Sequence, residues 1–375
     1  MSQRICVVGG GLTGLSTALI LSELNLKIDL ILPKKKLYTK DNRTTALSSN
    51  NYIFLKKFLN KKNDKLFWPS SQIDLFYETD NRNRHFMNFK NKEKNLMYVF
   101  NNSKLKNELL KIIKKNKKIK ILNKLIKKAD PDDTSIVINK KKLFYDIILI
   151  CSGRNSQLNK GVAGRRMIFQ NLKETAHTTN VKHDLKINNA RQYFLKEGPL
   201  AILPISKNKF SLVWTVCEKL SKNTIKNTIN EKLKIILGSN AVFSLSKVNS
   251  FPISFKFNRN QQNKNILFMG ETSYNIHPVA GQGFNLILRD IRVLQNEFKN
   301  YLEFGMQLKS SSVIQKFTNV RKPENFLFGL GINVINKFFK HNNVLEPLKN
   351  IILKDINKNK FLKDLGLDLS NKGIY

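Results

Sequence analysis

"RICVVGGGLTGLSTALILSELNLKIDLIL", residues 4 to 32, is the stretch that decides the fold. RICVV is a short apolar strand and three glycines follow it. LTGLSTALILSELN reads as a helix ending near Asn25, and KIDLIL at 27 to 32 is a second strand. A strand, turn, helix and strand within about 30 residues is the size of a dinucleotide-binding unit. The turn carries the matching spacing, Gly9-x-Gly11-x-x-Gly14. The leading glycine permits a tight turn, the second lets main chain approach a pyrophosphate, and the third lets helix pack on strand. Leu12 and Thr13 stand in the first helical turn. There, unpaired N–H groups and the positive end of the helix dipole face an anion, worth about 0.3–1 kcal/mol. The competing reading is a packing turn without a ligand. The unit departs from its pattern at the end of the second strand, where an acidic residue usually binds ribose hydroxyls. Leu32 holds that place, followed by Pro33 and Lys34 to Lys36, while Asp29 lies three residues early. The ribose contact is therefore weakened or supplied differently.

A second stretch of the same character, "GETSYNIHPVAGQGFNLILRD", occupies 270 to 290. It follows the buried-strand pattern NILFMG at 265 to 270, places Gly281 and Gly283 on either side of Gln282, and enters a helical pattern at once. Two bare turns separated by most of the chain predict one ligand approached from two sides.

The 375 residues leave room for two or three cores or for one merged multilayer unit. A hydrophobic content of 41% suffices for packed cores. No apolar run reaches the ~18 residues that would suggest a membrane span. The N-terminus enters a strand without the layout of a secretory signal. Cys6, Cys151 and Cys217 lie far apart, with neither metal spacing nor a disulfide framework. A reducing cytoplasm and no bound metal are the expectations. The formal charge of +39 invites a nucleic-acid reading, yet only 12 of the 66 basic residues are Arg, the usual reader of base edges. The lysines are spread along the chain among Asn and Ile, so compositional bias is the favoured reading and no specific nucleic acid is expected. Such a charge still attracts anionic head groups or acidic partners.

Along the chain, 43 to 59 reads as a helix, while IDLFYET from 73 and HFMNF are strands joined by the turn DNRNR. SKLKNELLKIIKK at 103 to 115 is an amphipathic helix with Ser103 as its N-cap. Strands follow at 119 to 122, 135 to 139 and 143 to 153, the last a continuous apolar run suited to a buried parallel strand. Residues 175 to 256 are strand-rich apart from a Lys-rich helix near 218 to 237. From 284 the chain is helical, with breaks at Gly305, Pro323 and Pro347.

The second glycine stretch resembles the second flavin signature of FAD-dependent aromatic hydroxylases, and more closely that of the ubiquinone-biosynthesis monooxygenases. His277, Pro278, Ala280 to Leu286, Arg289 and Asp290 stand in that family's "HP-x-AGQGFNL-x-x-RD" order. "DNRTTALS" at 41 to 48, "FLKEGPLAILPISKNKFSLVW" at 194 to 214 and the helical tail agree in order, so the resemblance covers nearly the whole chain. It implies an α/β fold: a Rossmann-like FAD-binding domain (1–68, 98–158, 265–322), a mixed β-sheet substrate domain (69–97, 159–264) and a helical C-terminal segment (323–375). It implies that Glu271 accepts a hydrogen bond from a ribityl hydroxyl. Pro278, Gly281, Gln282, Gly283, Phe284 and Asn285 would bind the cofactor, with Gly281 and Gly283 letting main chain lie against the isoalloxazine ring and N–H groups from 283 to 285 on its N1/O2 edge. Donors placed there stabilise the reduced ring by roughly 3 kcal/mol. Arg43 corresponds to an arginine near the flavin, the alternative being an ion pair with Asp41. Lys104 stands in for a phosphate-facing arginine or is merely solvated, and Leu125 completes the cofactor-binding set.

Three departures stand out. In "CSGRNS" at 151 to 156, Ser152 replaces the family's aspartate while Gly153 and Ser156 remain, which puts normal NAD(P)H handling in doubt. Tyr274 replaces a histidine. His277 is retained, either as a proton shuttle or as a loop-stabilising residue. No protein nucleophile is evident, which suits chemistry carried by the cofactor. The implied cycle has NAD(P)H reduce FAD transiently, O2 add at flavin C4a, and the hydroxyl pass to a polyprenylated phenol in ubiquinone biosynthesis. Phe326, Phe328, Phe338 and Phe339 offer an interfacial helix, with peripheral attachment to the inner face of the membrane or to a biosynthetic complex. The alternative is a helix pair packed on the FAD domain. The competing functions are a same-fold flavoenzyme acting on another aromatic or on an isoprenoid, and a flavin-free basic protein that binds nucleic acid or scaffolds a complex.

Overall fold

The computed structural model describes residues 2–33, 43–79, 82–91, 93–126, 128–153, 158, 167–217, 222–276, 281–309 and 311–339. One six-stranded sheet runs in the order β19 (Gln262–Asn263), β20 (Ile266–Phe268), β12 (Ile147–Ile150), β1 (Gln3–Val8), β2 (Leu26–Leu32), β8 (Ile119–Asn123). Five of these strands are parallel neighbours; only β19 pairs antiparallel. The period of two explains why they are apolar throughout. Ile5, Val7, Ile147 and Leu149 enter one core, and Cys6, Val8, Ile148 and Ile150 enter another on the opposite face. The first core is completed by α1 (Leu12–Leu21), α2 (Ser49–Lys56) and α3 (Asn102–Lys115), and by α5 (Gly283–Glu303). The second is closed by a small sheet of β11 (Lys141–Phe144), β10 (Ser135–Ile138) and β9 (Ala129–Asp130).

A larger mixed sheet runs β21 (Tyr274–Asn275), β18 (Asn249–Asn258), β13 (Met167–His183), β16 (Lys209–Val216), β15 (Gly198–Ser206), β14 (Ala190–Leu195), β5 (Gln72–Thr79), β6 (Arg82–Lys90). β17 (Phe243–Leu245) adds to β13. Leu200, Ile202, Leu212 and Trp214 pack beneath α4 (Lys222–Leu237), which presents Ile225, Ile229 and Leu233 at helical spacing. Their neighbours Ala201, Leu203 and Val213 face a cavity on the other side. A three-stranded ribbon, β3 (Thr44–Ser48), β7 (Met97–Asn101) and β4 (Phe67–Ser70), lies between the two large sheets in sequence and feeds both α2 and α3. The long helix α6 (Ser311–Phe339) ends the described chain.

Four local expectations are corrected. Residues 44 to 48 are strand, because Thr44 and Thr45 pair across the ladder with Asn101 and Phe100 and helix begins only at Ser49. The run at 143 to 153 is two strands: Asp146 turns the chain, its carboxylate accepting from the Arg4 N–H at 2.7 Å and its own N–H donating to the Arg4 carbonyl at 2.9 Å. The cap of α3 is Asn101, whose side chain accepts from Lys104 N–H at 3.1 Å, rather than Ser103. α6 continues through Pro323, whose ring is exposed and whose neighbours Arg321, Glu324 and Asn325 are anchored in a buried polar network. The break at Gly305 occurs with φ 70°; Pro347 lies outside the described residues.

Candidate functional site

Both glycine turns open into one cavity of about 990 Å³, with Gly10 to Thr13 on one side and Gly281 to Asn285 on the other. Two close approaches shape the first turn. Gly9 adopts φ 145°, and a Cβ there would lie 2.2 Å from the Cys151 carbonyl oxygen. A Cβ on Gly14 would lie 2.1 Å from the Gly9 oxygen. These glycines let α1 descend onto the sheet, where it meets α5. Gly11 and Gly283 differ: a Cβ at either meets nothing within 4 Å. Their bareness faces open room, as a backbone laid against a ligand requires.

Both helices begin at this room without a side-chain cap, at Gly11 and at Gln282. Their first-turn N–H groups have no intrahelical acceptor, so two positive helix ends face the cavity. The Asn285 side chain is otherwise engaged. It accepts from Ser48 N–H and Asn51 Nδ2, both at 2.9 Å, and donates to the Ala46 carbonyl at 2.9 Å. Only its main chain is left for a ligand, while its amide ties β3 and α2 to α5. Buried Thr44 Oγ1, Ser48 Oγ, Ser152 Oγ and Gln282 Oε1 have no hydrogen-bond partner among the described residues, and all four residues line the cavity. Buried polar atoms are rarely left so, which points to a polar ligand between them.

Arg43 lines the cavity with its guanidinium 5.0 Å from the Phe251 ring, and its carbonyl accepts from Asn102 N–H at 3.0 Å. Its proposed partner Asp41 lies outside the described residues, as do His277, Pro278, Ala280, Ser156 and Lys34 to Lys36. Glu271 lines the cavity beside Tyr274. Two residues are placed elsewhere. Lys104 is exposed and Lys106 lines the cavity instead, because two helical positions turn the side chain by about 200°. Leu125 is 75% exposed and is not among the cavity residues. Lys106, Thr44 and Ser48 are the functional candidates that sequence reading missed. The signal for Lys106 was available, since Leu105, Leu109 and Ile113 fix the buried face of α3 and Lys106 flanks it.

The departures also find a physical place. Asp29 accepts from Arg4 at 2.6 Å and from the Tyr145 hydroxyl at 2.8 Å, so it is not aimed at a ribose. Pro33 lines the cavity after the buried Leu32. Ser152 leaves its hydroxyl toward the cavity, and Gly153 N–H donates to Thr272 Oγ1 at 3.2 Å. Tyr274 is buried and donates to Asp290 at 2.5 Å; burial, then the Asp290 carboxylate, push its pKa up. Asp290 in turn accepts from Arg321 at 2.7 Å and from Asn325 at 3.0 Å. This network joins the loop beside the second glycine turn to α5 and α6. Burial pushes the Cys151 thiol to about 12, so it is not a nucleophile at neutral pH. Beyond the polar region the walls become apolar, with Ile73, Phe86, Met87, Phe194, Leu203 and Ile253.

A family model described as squalene epoxidase matches residues 214–361. A mitochondrial ubiquinone biosynthesis monooxygenase of Dictyostelium discoideum is 23% identical over 98% of this chain and 90% of its own length. The ubiquinone hydroxylase UbiM of Neisseria meningitidis is 23% identical over 97% of this chain and 84% of its own. The 3-demethoxyubiquinol 3-hydroxylase of Escherichia coli is 26% identical over 47% of this chain and 43% of its own. Among solved structures, the p-nitrophenol 4-monooxygenase PnpA of Pseudomonas putida superposes with TM-score 0.81, covering 100% of this chain and 99% of its own at 16% identity. HpxO of Klebsiella pneumoniae, complexed with FAD and uric acid, gives 0.75 over 99% of this chain and 97% of its own at 13% identity. By sequence the chain is similar to the ubiquinone-biosynthesis hydroxylases, and its fold is that of the FAD-dependent aromatic hydroxylases.

Proposed function

We propose that the protein is an FAD-dependent monooxygenase that hydroxylates the ring of a polyprenylated phenol in ubiquinone biosynthesis. The observation that carries this reading is the single cavity with two uncapped helix ends and bare glycine walls at one region and apolar walls at the other. Those features fit a diphosphate, a flat polar ring and a hydrocarbon co-occupant. When bound, FAD supplies the redox and oxygen-activating chemistry. The chain's contribution is placement. Gly10 to Thr13 and the α1 N-terminus would hold the diphosphate, with Lys106 and Arg43 adding positive charge. Gly281 to Phe284 would lie against the ring, and the α5 N-terminus would favour negative charge gathering on its edge. Glu271, Thr44, Ser48 and Ser152 line the cavity where the ribityl chain and its neighbours would run. The apolar walls exclude water from the phenol. The FAD-binding, substrate and C-terminal portions keep the boundaries anticipated from the sequence as part of this proposal.

We also place the protein peripherally on the cytoplasmic face of a membrane, alone or within a complex. Among the described residues no helix is long and apolar enough to cross a membrane. The outer face of α6 exposes Leu327, Leu330 and Val334 at helical spacing, and the formal charge is +39. Phe326 and Phe339 are not part of that face, for each packs on a sheet residue, Phe257 and Phe194 respectively.

Purified protein should be yellow, release FAD on denaturation, and add one oxygen to a short-chain prenylphenol when supplied with NAD(P)H and O2. A deletion strain should accumulate an under-hydroxylated quinone precursor. Colourless protein that cannot be reconstituted with FAD, or normal quinone in the deletion strain, would overturn the reading.

A further inference from the structure

We infer that Phe339, at the end of α6, is a specificity-determining residue that sets how long a hydrocarbon tail the cavity accepts. The inference rests on the proposed prenylphenol reading for the class of substrate, and on the following geometry for the residue. The second half of α6 is supported at two places on the large sheet. At one, Phe326 lies 5.0 Å from the Phe257 ring of β18, and a Cβ on Gly329 would meet Phe255 and Ile276 at 3.2 Å. At the other, Phe339 stacks on Phe194 of β14 with centroids 3.7 Å apart and 15° between planes, 5.6 Å from Phe86 of β6.

The spans agree. Thirteen residues of helix cover about 20 Å, and the four strand spacings from β18 to β14 cover about 19 Å. The helix therefore crosses β13, β16 and β15, whose Ala176, Val213 and Leu203 line the cavity, and Ile332 faces it from above. α6 is a roof, and the Phe339–Phe194 stack is where the roof meets the wall.

This end lies toward the β6 edge of the sheet, whereas the glycine loop follows β21 at the opposite edge. A cavity of about 990 Å³ is at the upper end of what one drug-sized ligand fills. A dinucleotide and a phenol ring take most of it, so an extended tail must continue past the stack. A short tail ends against Phe339; a longer one must displace a ring that α6 carries onto Phe194 rather than one built into a strand. Side-chain size at 339 then selects tail length, and it does so at a distance from the polar region of the cavity.

The test uses FAD-loaded full-length protein and prenyl alcohols of ten, fifteen and twenty carbons, which lack the phenol, with binding followed by calorimetry. Phe339→Ala should shift the preference toward the longest alcohol by at least tenfold relative to the shortest, and Phe339→Trp should shift it the other way. With prenylphenols of matching lengths, the same variants should change KM with tail length and leave kcat for the shortest substrate within twofold. Flavin content and thermal midpoint report folding; if the alanine variant fails to fold, Phe339→Leu takes its place. An unchanged length preference in flavin-loaded variants of both sizes overturns the inference, as does a wild-type protein that binds none of the alcohols. Length-selective binding that follows the residue at 339, without hydroxylation of any prenylphenol, supports the inference and removes the oxygenase reading instead.

Discussion

Gly283→Val separates the two uses of glycine in this chain. The residue opens α5, its φ is outside the left-handed region, and a Cβ there meets nothing within 4 Å. In the flavin-free protein the substitution therefore loses no contact. Valine is about 0.3–0.5 kcal/mol better than glycine within a helix, so apoprotein stability should hold or rise slightly. The room it fills is where the flavin ring would lie under the proposed function. Overpacking a fitted site costs about 1–3 kcal/mol, so the Kd for FAD should rise roughly 5- to 150-fold. Gly14→Ala should do the opposite. Its Cβ would stand 2.1 Å from the Gly9 oxygen, an atom of the main chain that cannot swing away. Stability should fall by at least about 1–3 kcal/mol before any ligand is added. Urea unfolding of the apoproteins and FAD titration followed by flavin fluorescence measure both quantities. Wild-type FAD affinity in Gly283→Val, or a stability loss there equal to that of Gly14→Ala, would refute the placement of the ring.

Three further outcomes follow from other parts of the molecule. Arg321→Met leaves Asp290 and Glu324, 4% and 5% exposed, without their guanidinium; the loss should be about 3–5 kcal/mol in chemical denaturation, and a loss below about 1 kcal/mol would show that the network is solvated. Burial raises the Cys151 thiol from 9.0 to about 12, so the folded state holds its proton longer than the unfolded state. That contribution is fully present below pH 9 and is lost as pH rises toward 12. Wild-type stability should thus fall more steeply than that of Cys151→Ala between those values, and parallel curves would contradict the burial. Leu327→Asp with Val334→Asp should reduce co-sedimentation with anionic vesicles severalfold at unchanged flavin content; equal co-sedimentation would remove α6 from the membrane proposal.

How far the sequence could be read depended on whether a feature is local. The first unit was legible because its glycines, strand and helix lie within one βαβ segment, and their spacing dictates a turn. Thr44 to Ser48 was misread because its strand character comes from pairing with Met97 to Asn101, half a hundred residues away. Leu32 and Asp29 stand out in the sequence as a departure, but the occupation of Asp29 by Arg4 and Tyr145 depends on long-range contacts. Phe339 looked interfacial because an exposed aromatic and a stacked one have the same local sequence; only the sheet beneath it decides between them. Lys104 and Lys106 show the finer limit. A helix places a charge within one turn of a site from sequence, but choosing the residue requires the buried face, here fixed by Leu105, Leu109 and Ile113.

The electrostatics of the cavity explain how a cofactor can be retained without the usual acidic anchor. With Asp29 engaged and Ser152 in place of an aspartate, the described carboxylate lining the cavity is Glu271. In the proposed reading the diphosphate would be met instead by helix ends, Lys106 and Arg43, so attraction to the phosphates would have to outweigh what hydrogen bonding to the sugars would have added. Bonds from fixed donors to phosphate are charge-assisted, as carboxylate-to-ribose bonds are, so one set can stand in for the other. It also gives the binding a signature. A site held by attraction to phosphate weakens with salt, whereas one held by carboxylate-to-ribose bonds does not. Ser152→Asp would restore an acid at the cavity wall, where Arg43 and Lys106 are also cavity residues. Its FAD affinity should depend less steeply on ionic strength than that of the wild type, and an identical salt slope in the two proteins would mean that the phosphates are not what holds the cofactor.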